Sequence, residues 1–117
     1  MAARFKDLCL DARDHQALAD WWCTALGYQR RTREGEERPR EWPVPIHDPS
    51  GAGPLIWLNP VPEDKTVKNR MHLDVLGDTG ELLALGATLV RERGGDIEWD
   101  ILADPEGNEF CAFTPLD

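Results

Sequence analysis

The chain contains 117 residues, of which 41% are hydrophobic and 30% are charged, as is typical of one soluble globular domain without membrane-spanning segments. Its 13 basic and 22 acidic residues give a formal net charge of −9, which argues against nucleic acid or an anionic membrane as a partner. Three widely spaced cysteines, Cys9, Cys23 and Cys111, indicate neither a disulfide framework nor a Cys-x-x-Cys metal motif.

The first predicted element is a strand over about residues 7–11, where apolar and polar side chains alternate. The charges of Lys6 and Asp11 interrupt the apolar stretch that a signal peptide would need. We therefore expect the protein to be cytoplasmic.

A helix follows, with Asp14 as its predicted N-cap and Gly27 as its C-terminal stop. Between them, apolar residues recur at helical spacing, and Trp21 and Trp22 are expected in the core, while His15 is expected at the surface. Three strands are predicted next, at about 28–33, 41–47 and 55–61. These elements form a first module over about residues 4–62.

A second module is predicted over about residues 68–117 and opens with a strand at 72–76. Asp78 or Thr79 caps the following helix, whose apolar stripe is formed by Leu82, Leu83, Leu85 and Leu89. Strands are then predicted at about 88–93, 97–102 and 110–114.

The two modules repeat one pattern. The turns Asp48-Pro49-Ser50-Gly51 and Asp104-Pro105-Glu106-Gly107 lie 56 residues apart, and each leads into an apolar strand. The opening strands and the Leu-Gly pairs at the helix ends align in the same order. A duplicated unit of one strand, one helix and three strands predicts an α+β fold.

Two such units, with the segments "DARDHQALADWWCTALGY", "VPEDKTVKNRMHLDV" and "DPEGNEF", resemble the glyoxalase-like branch of the vicinal oxygen chelate superfamily, which includes glyoxalase, bleomycin-resistance and extradiol-dioxygenase proteins. The resemblance extends from Phe5 to Phe113. It implies a single domain over 1–117 in which the paired modules form a curved sheet around a cavity. It also implies pairing of modules within one chain or across two, and a homodimer is favoured.

Strand alternation predicts which side chains face that cavity. In the strand that opens module two, Arg70, His72 and Asp74 share one face, opposite Met71, Leu73 and Val75. Applied to the other strands, the same rule predicts a cavity lined by Asp7, Trp57, Asn59, Arg70, His72, Cys111 and Phe113. Apolar walls with a few polar groups are typical of a pocket for a small-molecule ligand.

The resemblance also implies where metal-dependent members hold a divalent ion, with histidines and glutamates on the first and last strand of each module. These positions fall on Asp7, His72, Cys111 and an apolar site within residues 55–57. His72 matches, whereas Cys111 replaces a carboxylate. Although the three remaining groups could ligate zinc, a degraded site and no resident metal or other cofactor are predicted.

Each residue also has a structural interpretation. His72 is either an acid–base or ligand residue, or a histidine that hydrogen-bonds to Asp74 or Asp7. Cys111 is predicted as a small buried residue, and Asp7 as a group near the cavity mouth. Trp99 is expected in the core, because it shares a face with Ile97 and Ile101. The run from Arg30 to Glu41 is expected to be a solvated edge strand and loop, or a flap.

Three functions remain open. The first is a lyase or isomerase, or a remnant of one, with His72 as the catalytic residue. The second is a non-catalytic protein that sequesters a drug or metabolite, with Trp57 stacking on a cationic ligand. The third is an interaction domain whose cavity is filled by its own side chains.

Overall fold

The computed structural model describes residues 2–115, which divide into two units with the sequence boundary between Asp64 and Lys65. Each unit contains one strand, one helix and three further strands, in that order. The predicted α+β class and the repeated module are therefore confirmed. That the two modules make up one domain stays a prediction. Neither described helix is both long and apolar enough to cross a membrane.

The first unit is a four-stranded sheet with one helix. Its elements are β1 (Leu8–Ala12), α1 (His15–Leu26), β2 (Gln29–Arg30), β3 (Val44–His47) and β4 (Ile56–Pro60). The strand order is β1-β4-β3-β2, with β1 parallel to β4 and the other neighbours antiparallel. Strand parity is as predicted, because Ile56 and Leu58 are buried while Trp57 is half-buried.

Helix α1 has the predicted bounds. The side chain of Asp14 accepts a hydrogen bond from the backbone N–H of Ala17 at 3.0 Å, and Gly27 ends the helix with φ of 71°. Leu18 and Trp22 are 1% exposed and belong to the core, as expected for Trp22. His15 is also buried, because the ring nitrogen Nε2 bonds to the carbonyl oxygen of Trp42, so its predicted surface location is wrong.

The second unit repeats this topology. Its elements are β5 (Leu73–Leu76), α2 (Thr79–Ala84), β6 (Thr88–Arg91), β7 (Asp100–Ala103) and β8 (Glu109–Phe113). The order β5-β8-β7-β6 is that of the first sheet, with β5 parallel to β8. Phe110 and Ala112 of β8 are 1% and 0% exposed and form the core face of this strand.

Helix α2 is shorter than predicted. Asp78 caps it by accepting a hydrogen bond from the N–H of Glu81, but the helix stops at Leu85, and Gly86 follows with φ of 113°. Only Leu82 is buried, and Leu89 lies in β6 with 46% of its surface exposed. The predicted apolar stripe to Leu89 is therefore wrong, because Gly86 redirects the chain before the stripe is complete.

The two Asp-Pro-x-Gly turns have the same hydrogen bonds. In each turn the aspartate carboxylate accepts from the N–H two residues later, and the glycine N–H donates to the aspartate carbonyl at 2.9 Å. Gly51 and Gly107 have φ of 79° and 91°, a conformation that favours glycine. Asp104 is 3% exposed and also accepts from Asn108. Each turn directs the chain into the strand that pairs parallel with the first strand of its unit.

Several strands are shorter than predicted, most of all β2 and β3. Strand β2 contains only two residues, and residues 31–43 form a loop rather than an edge strand. Strand β7 starts at Asp100, because Gly94 and Ile97 pair across a local turn before it. The loop after Arg30 is therefore longer than expected, and the edge strand β2 is shorter.

Candidate functional site

The second unit contains a cavity of about 260 Å³. Its ionisable lining consists of Lys68, His72, Asp74, Glu109 and Cys111. Its apolar lining consists of Trp99, Ile101, Phe110 and Phe113. Of the residues predicted from strand parity, His72, Cys111 and Phe113 thus line one cavity.

Strand pairing brings the polar groups together. Asp74 of β5 lies opposite Cys111 of β8, and His72 precedes Asp74 by two residues, so its side chain points to the same face. Ile101 of β7 lies opposite Cys111 on the other side. The imidazole of His72, the carboxylate of Asp74 and the thiol of Cys111 therefore lie close together on one face of the sheet, beside Ile101.

His72 makes two contacts through one ring nitrogen. Its Nδ1 lies 3.2 Å from Oδ1 of Asp74 and 3.9 Å from Sγ of Cys111. The side chain of His72 is 38% exposed, so ligand and solvent can reach the ring. The contact with Asp74 is the pairing predicted under the structural interpretation of His72, and it also favours one tautomer of the ring.

The thiol of Cys111 is buried and protonated at neutral pH. Burial raises its pKa above the usual range, and the negative charge of Asp74 adds to this effect. Because the thiolate is the form that attacks electrophiles and binds metals, Cys111 is a poor nucleophile here.

Glu109 is ionised and held at the edge of the cavity. Burial opposes its ionisation, but hydrogen bonds from the ammonium of Lys65 and from the N–H of Asn69 outweigh that effect and lower its pKa. The carboxylate therefore fixes the loop before β5, and it is not free to accept a proton from a ligand.

Two aromatic rings form one wall of the cavity. Trp99 and Phe113 have ring centroids 5.3 Å apart with an interplanar angle of 31°. Trp99 is half-buried and lines the cavity, so the expectation that it belongs to the core is wrong. Parity correctly placed Trp99 with Ile101, but the face they share is the one that carries Cys111.

The donor set of this cavity does not fit a hard divalent cation. One donor atom each from His72, Asp74 and Cys111 lies within 4.8 Å of the others. Such cations require several oxygen ligands, and only one of the three groups supplies oxygen. The protonated thiol weakens the set further, for zinc as well, because metal ligation requires thiolate.

The predicted residues of the first unit form a separate polar cluster. The indole of Trp57 donates a hydrogen bond to Oδ2 of Asp7 at 3.0 Å, and Asn59 donates to Asp11 at 3.2 Å. Hydrogen bonds from Lys6 and then Trp57 lower the pKa of Asp7. The Trp57 ring has Lys6 Nζ 5.8 Å from its centroid, so a cation of the chain itself occupies the stacking position.

Arg70 is exposed in the loop before β5 and is not among the residues that line the second-unit cavity. The lining residues that were not predicted from the sequence are Lys68, Asp74, Trp99, Ile101, Glu109 and Phe110. The pairing of β7 with β8 could have identified Ile101 and Trp99, had the register been known from the sequence. Asp74 could also have been predicted to line the cavity, because side chains two residues apart in a strand face the same side, and Asp74 is two residues from His72.

The sequence matches a family profile described as the glyoxalase-like domain over residues 7–113. A comparison with curated protein sequences gives no significant match.

Several solved structures share the fold. A glyoxalase/bleomycin resistance protein/dioxygenase family enzyme from Burkholderia phytofirmans is 21% identical with a TM-score of 0.69, covering 97% of this chain and 100% of that chain. A fosfomycin resistance protein from Mesorhizobium loti is 12% identical with a TM-score of 0.70, covering 99% and 94%. The trypanothione-dependent glyoxalase I of Leishmania major is 14% identical with a TM-score of 0.64, covering 97% and 87%.

Proposed function

This chain belongs to the glyoxalase-like domain family, and we propose that its second-unit cavity catalyses metal-free proton transfer on a small organic molecule, in a reaction of the isomerase or lyase type. The observation that carries the proposal is the 3.2 Å contact between His72 Nδ1 and Asp74 Oδ1 at the wall of a 260 Å³ cavity.

Asp74 gives His72 a defined role. When Nδ1–H donates to the carboxylate, Nε2 of the neutral ring carries a lone pair that can accept a proton. Because Asp74 holds Nδ1, the proton is accepted at Nε2. Asp74 is thus a positioning residue, and His72 is the group that contacts the substrate.

The other lining residues supply binding and charge. Trp99 and Phe113 hold the apolar part of the substrate, and the ammonium of Lys68 stabilises an oxyanion that develops on a carbonyl oxygen. His72 takes a proton from the carbon beside that carbonyl. Returning the proton to a neighbouring atom completes an isomerisation, whereas loss of a β-substituent completes an elimination.

The test is exchange of substrate hydrogen with solvent. A thermal-shift screen of small α-hydroxycarbonyl compounds selects those that stabilise the protein, and each is then incubated in deuterium oxide and followed by proton NMR. The wild-type protein is expected to incorporate deuterium at the carbon beside the carbonyl. His72→Gln is expected to reduce the rate by at least about a hundredfold, the usual contribution of a general base.

His47→Gln is the matched control, because this histidine lies in β3 of the first unit. It should exchange at the wild-type rate. If stabilising compounds show no exchange with the wild-type protein, or if His72→Gln exchanges equally fast, the catalytic proposal is wrong.

A second function is supported by the aromatic wall. Trp99, Phe113 and the protonated thiol of Cys111 form a surface that can bind a drug or metabolite without any reaction. A fosfomycin resistance protein and a glyoxalase/bleomycin resistance protein/dioxygenase family enzyme share the fold. In this case Trp99→Ala abolishes the thermal shift, His72→Gln retains it, and no deuterium is incorporated.

The open cavity argues against the third function, an interaction domain whose cavity is filled by its own side chains.

We also propose a homodimer that assembles through the second unit. Met71, two residues before β5, and Leu76 at its end are 80% and 75% exposed, and Val90 of β6 is 55% exposed. Large apolar side chains exposed at sheet edges are typical of surfaces that a second copy covers.

A cytoplasmic location is supported by the cysteines. Cys9, Cys23 and Cys111 are all free thiols. Free thiols persist in a reducing compartment, whereas secreted domains of this size usually cross-link theirs.

A further inference from the structure

The first unit contains a cavity of its own, also of about 260 Å³, at the β2 edge of its sheet. Four arginines line it, Arg30, Arg31, Arg38 and Arg40, together with Gln16 and Trp42. No aspartate or glutamate is among the described residues that line it. This concentration of positive charge stands out in a chain with a net charge of −9.

The loop of residues 31–43 forms this cavity by docking on helix α1. Gln16 donates a hydrogen bond to the carbonyl of Arg40 at 2.9 Å, and its side-chain oxygen accepts from Arg30 at 2.8 Å. Arg38 donates to the carbonyl of Pro43. These bonds hold the arginines of the loop and of β2 around one space.

The positive charge is only partly compensated. Arg30 pairs with Asp20, and Arg38 pairs with Glu36, each at 3.0 Å. Within residues 2–115, the guanidinium groups of Arg31 and Arg40 make neither a hydrogen bond nor an ion pair, and both residues are exposed. The nearest compensation for Arg31 is the Asp7 carboxylate, whose pKa is lowered mainly by the hydrogen bond from Lys6 and, as the smallest of several causes, by the charge of Arg31. Two positive charges at one cavity favour binding of an anion there.

We infer that this cavity binds a small organic oxyanion. Arg31 and Arg40 hold its carboxylate or phosphate group, because the planar guanidinium matches both anions through paired hydrogen bonds. Arg38 lies 5.4 Å from the centroid of the Trp42 ring and so covers part of it. Trp42 is still 46% exposed, and this exposed part of the ring contacts the apolar body of the ligand. The volume limits that body to about one ring, since cavities for drug-sized ligands start near 300 Å³.

Isothermal titration calorimetry of the full chain with phenyl phosphate and with benzoate, at low ionic strength, tests the site. Both probes are expected to bind saturably, and the double variant Arg31→Gln, Arg40→Gln should weaken binding by at least about tenfold, because it removes two charge-assisted interactions. Trp42→Ala should weaken both probes and leave inorganic phosphate unchanged. Because these residues are exposed, the variants should unfold at the wild-type temperature.

Arg33→Gln is the matched control, since Arg33 lies in the same loop but does not line the cavity. It should change the affinity by less than about twofold, as expected for a screened surface charge. His72→Gln should also leave binding unchanged, which separates this site from the catalytic proposal. The inference is wrong if neither probe binds, if the double variant binds as the wild type does, or if Arg33→Gln weakens binding equally.

Discussion

Asp100 accepts hydrogen bonds from both the backbone and the side chain of Arg93. The Arg93 N–H lies 2.7 Å from Oδ1, and Nη2 lies 3.0 Å from Oδ2. The hydroxyl of Thr79, at the start of α2, also donates to this carboxylate. The side chain of Asp100 is 7% exposed, so these bonds hold a buried charge between α2 and β7. They keep the pKa of Asp100 far below its usual range, with the Arg93 side chain as the main cause.

We predict that Asp100→Asn lowers the free energy of unfolding at pH 7 by roughly 1.5–3 kcal/mol, as expected for hydrogen bonds to a charged group. Because the pKa of Asp100 is depressed on folding, its contribution is complete above the unfolded pKa of about 4 and is lost as the pH falls below it. The stability difference between wild type and variant should therefore shrink below about pH 4. Urea unfolding from pH 7 to pH 3 measures it.

Asp96→Asn is the control for this prediction. Asp96 also pairs with an arginine, Arg91, but its side chain is 80% exposed. Exposed pairs contribute little, so this variant should lose clearly less stability than Asp100→Asn does. Equal losses in both variants would contradict the role assigned to Asp100.

Thiol labelling should distinguish the cysteines. Cys9 is exposed and Cys111 is buried, so we expect a maleimide at pH 7 to modify Cys9 first and Cys111 at least about tenfold more slowly. Because the pKa of Cys111 is raised, its labelling rate should begin to increase with pH only at a higher pH than for an ordinary thiol. Peptide mass spectrometry follows both sites, and equal rates at pH 7 would show that the cavity wall is open around Cys111.

The purified, untagged protein is expected to hold no stoichiometric manganese, nickel, iron or magnesium at Asp7, His72 and Cys111. Asp74 is the one carboxylate grouped with His72 and Cys111 among the described residues, which is fewer than a hard cation requires. Glu109 is engaged by Lys65 and Asn69, and Asp7 by Lys6 and Trp57. Elemental analysis after dialysis measures the content. About one ion per chain that disappears in His72→Ala would overturn this prediction and support a metal-dependent lyase.

A homodimer should be visible by light scattering at tens of micromolar protein. Met71→Glu combined with Leu76→Glu places charges on the exposed apolar side chains before and at the end of β5 and should shift the mass toward the monomer. Phe5→Glu, a change of another exposed apolar residue in the first unit, should leave the dimer intact. A wild-type protein that is monomeric at this concentration would contradict the prediction.

The features that could be predicted from the sequence depend on neighbouring residues. Asp14 and Gly27 act within one turn of α1, and the Asp-Pro-x-Gly turns act within four residues. Strand parity likewise predicted that Trp57 faces away from its buried neighbours Ile56 and Leu58. Each of these signals is local, so the prediction needed no knowledge of which strands become neighbours.

The features that the sequence did not predict depend on distant contacts. Trp99 shares a face with Ile101, but only the pairing of Ile101 with Cys111 shows that this face is the cavity wall. His15 is buried because a loop more than twenty residues away docks on it through the Trp42 carbonyl. The arginine-lined cavity has the same origin, since composition alone indicates a solvated loop.

In each unit the last strand in the sequence is an interior strand of the sheet. Strand β4 separates β1 from β3, and β8 separates β5 from β7. Leu8 therefore pairs with Ile56, and Leu73 pairs with Phe110. During synthesis β1 and β5 have no neighbouring strand until β4 and β8 emerge, so each sheet can close only after its whole module has been translated. Such long-range pairing slows folding and leaves apolar strand faces exposed to chaperones in the meantime.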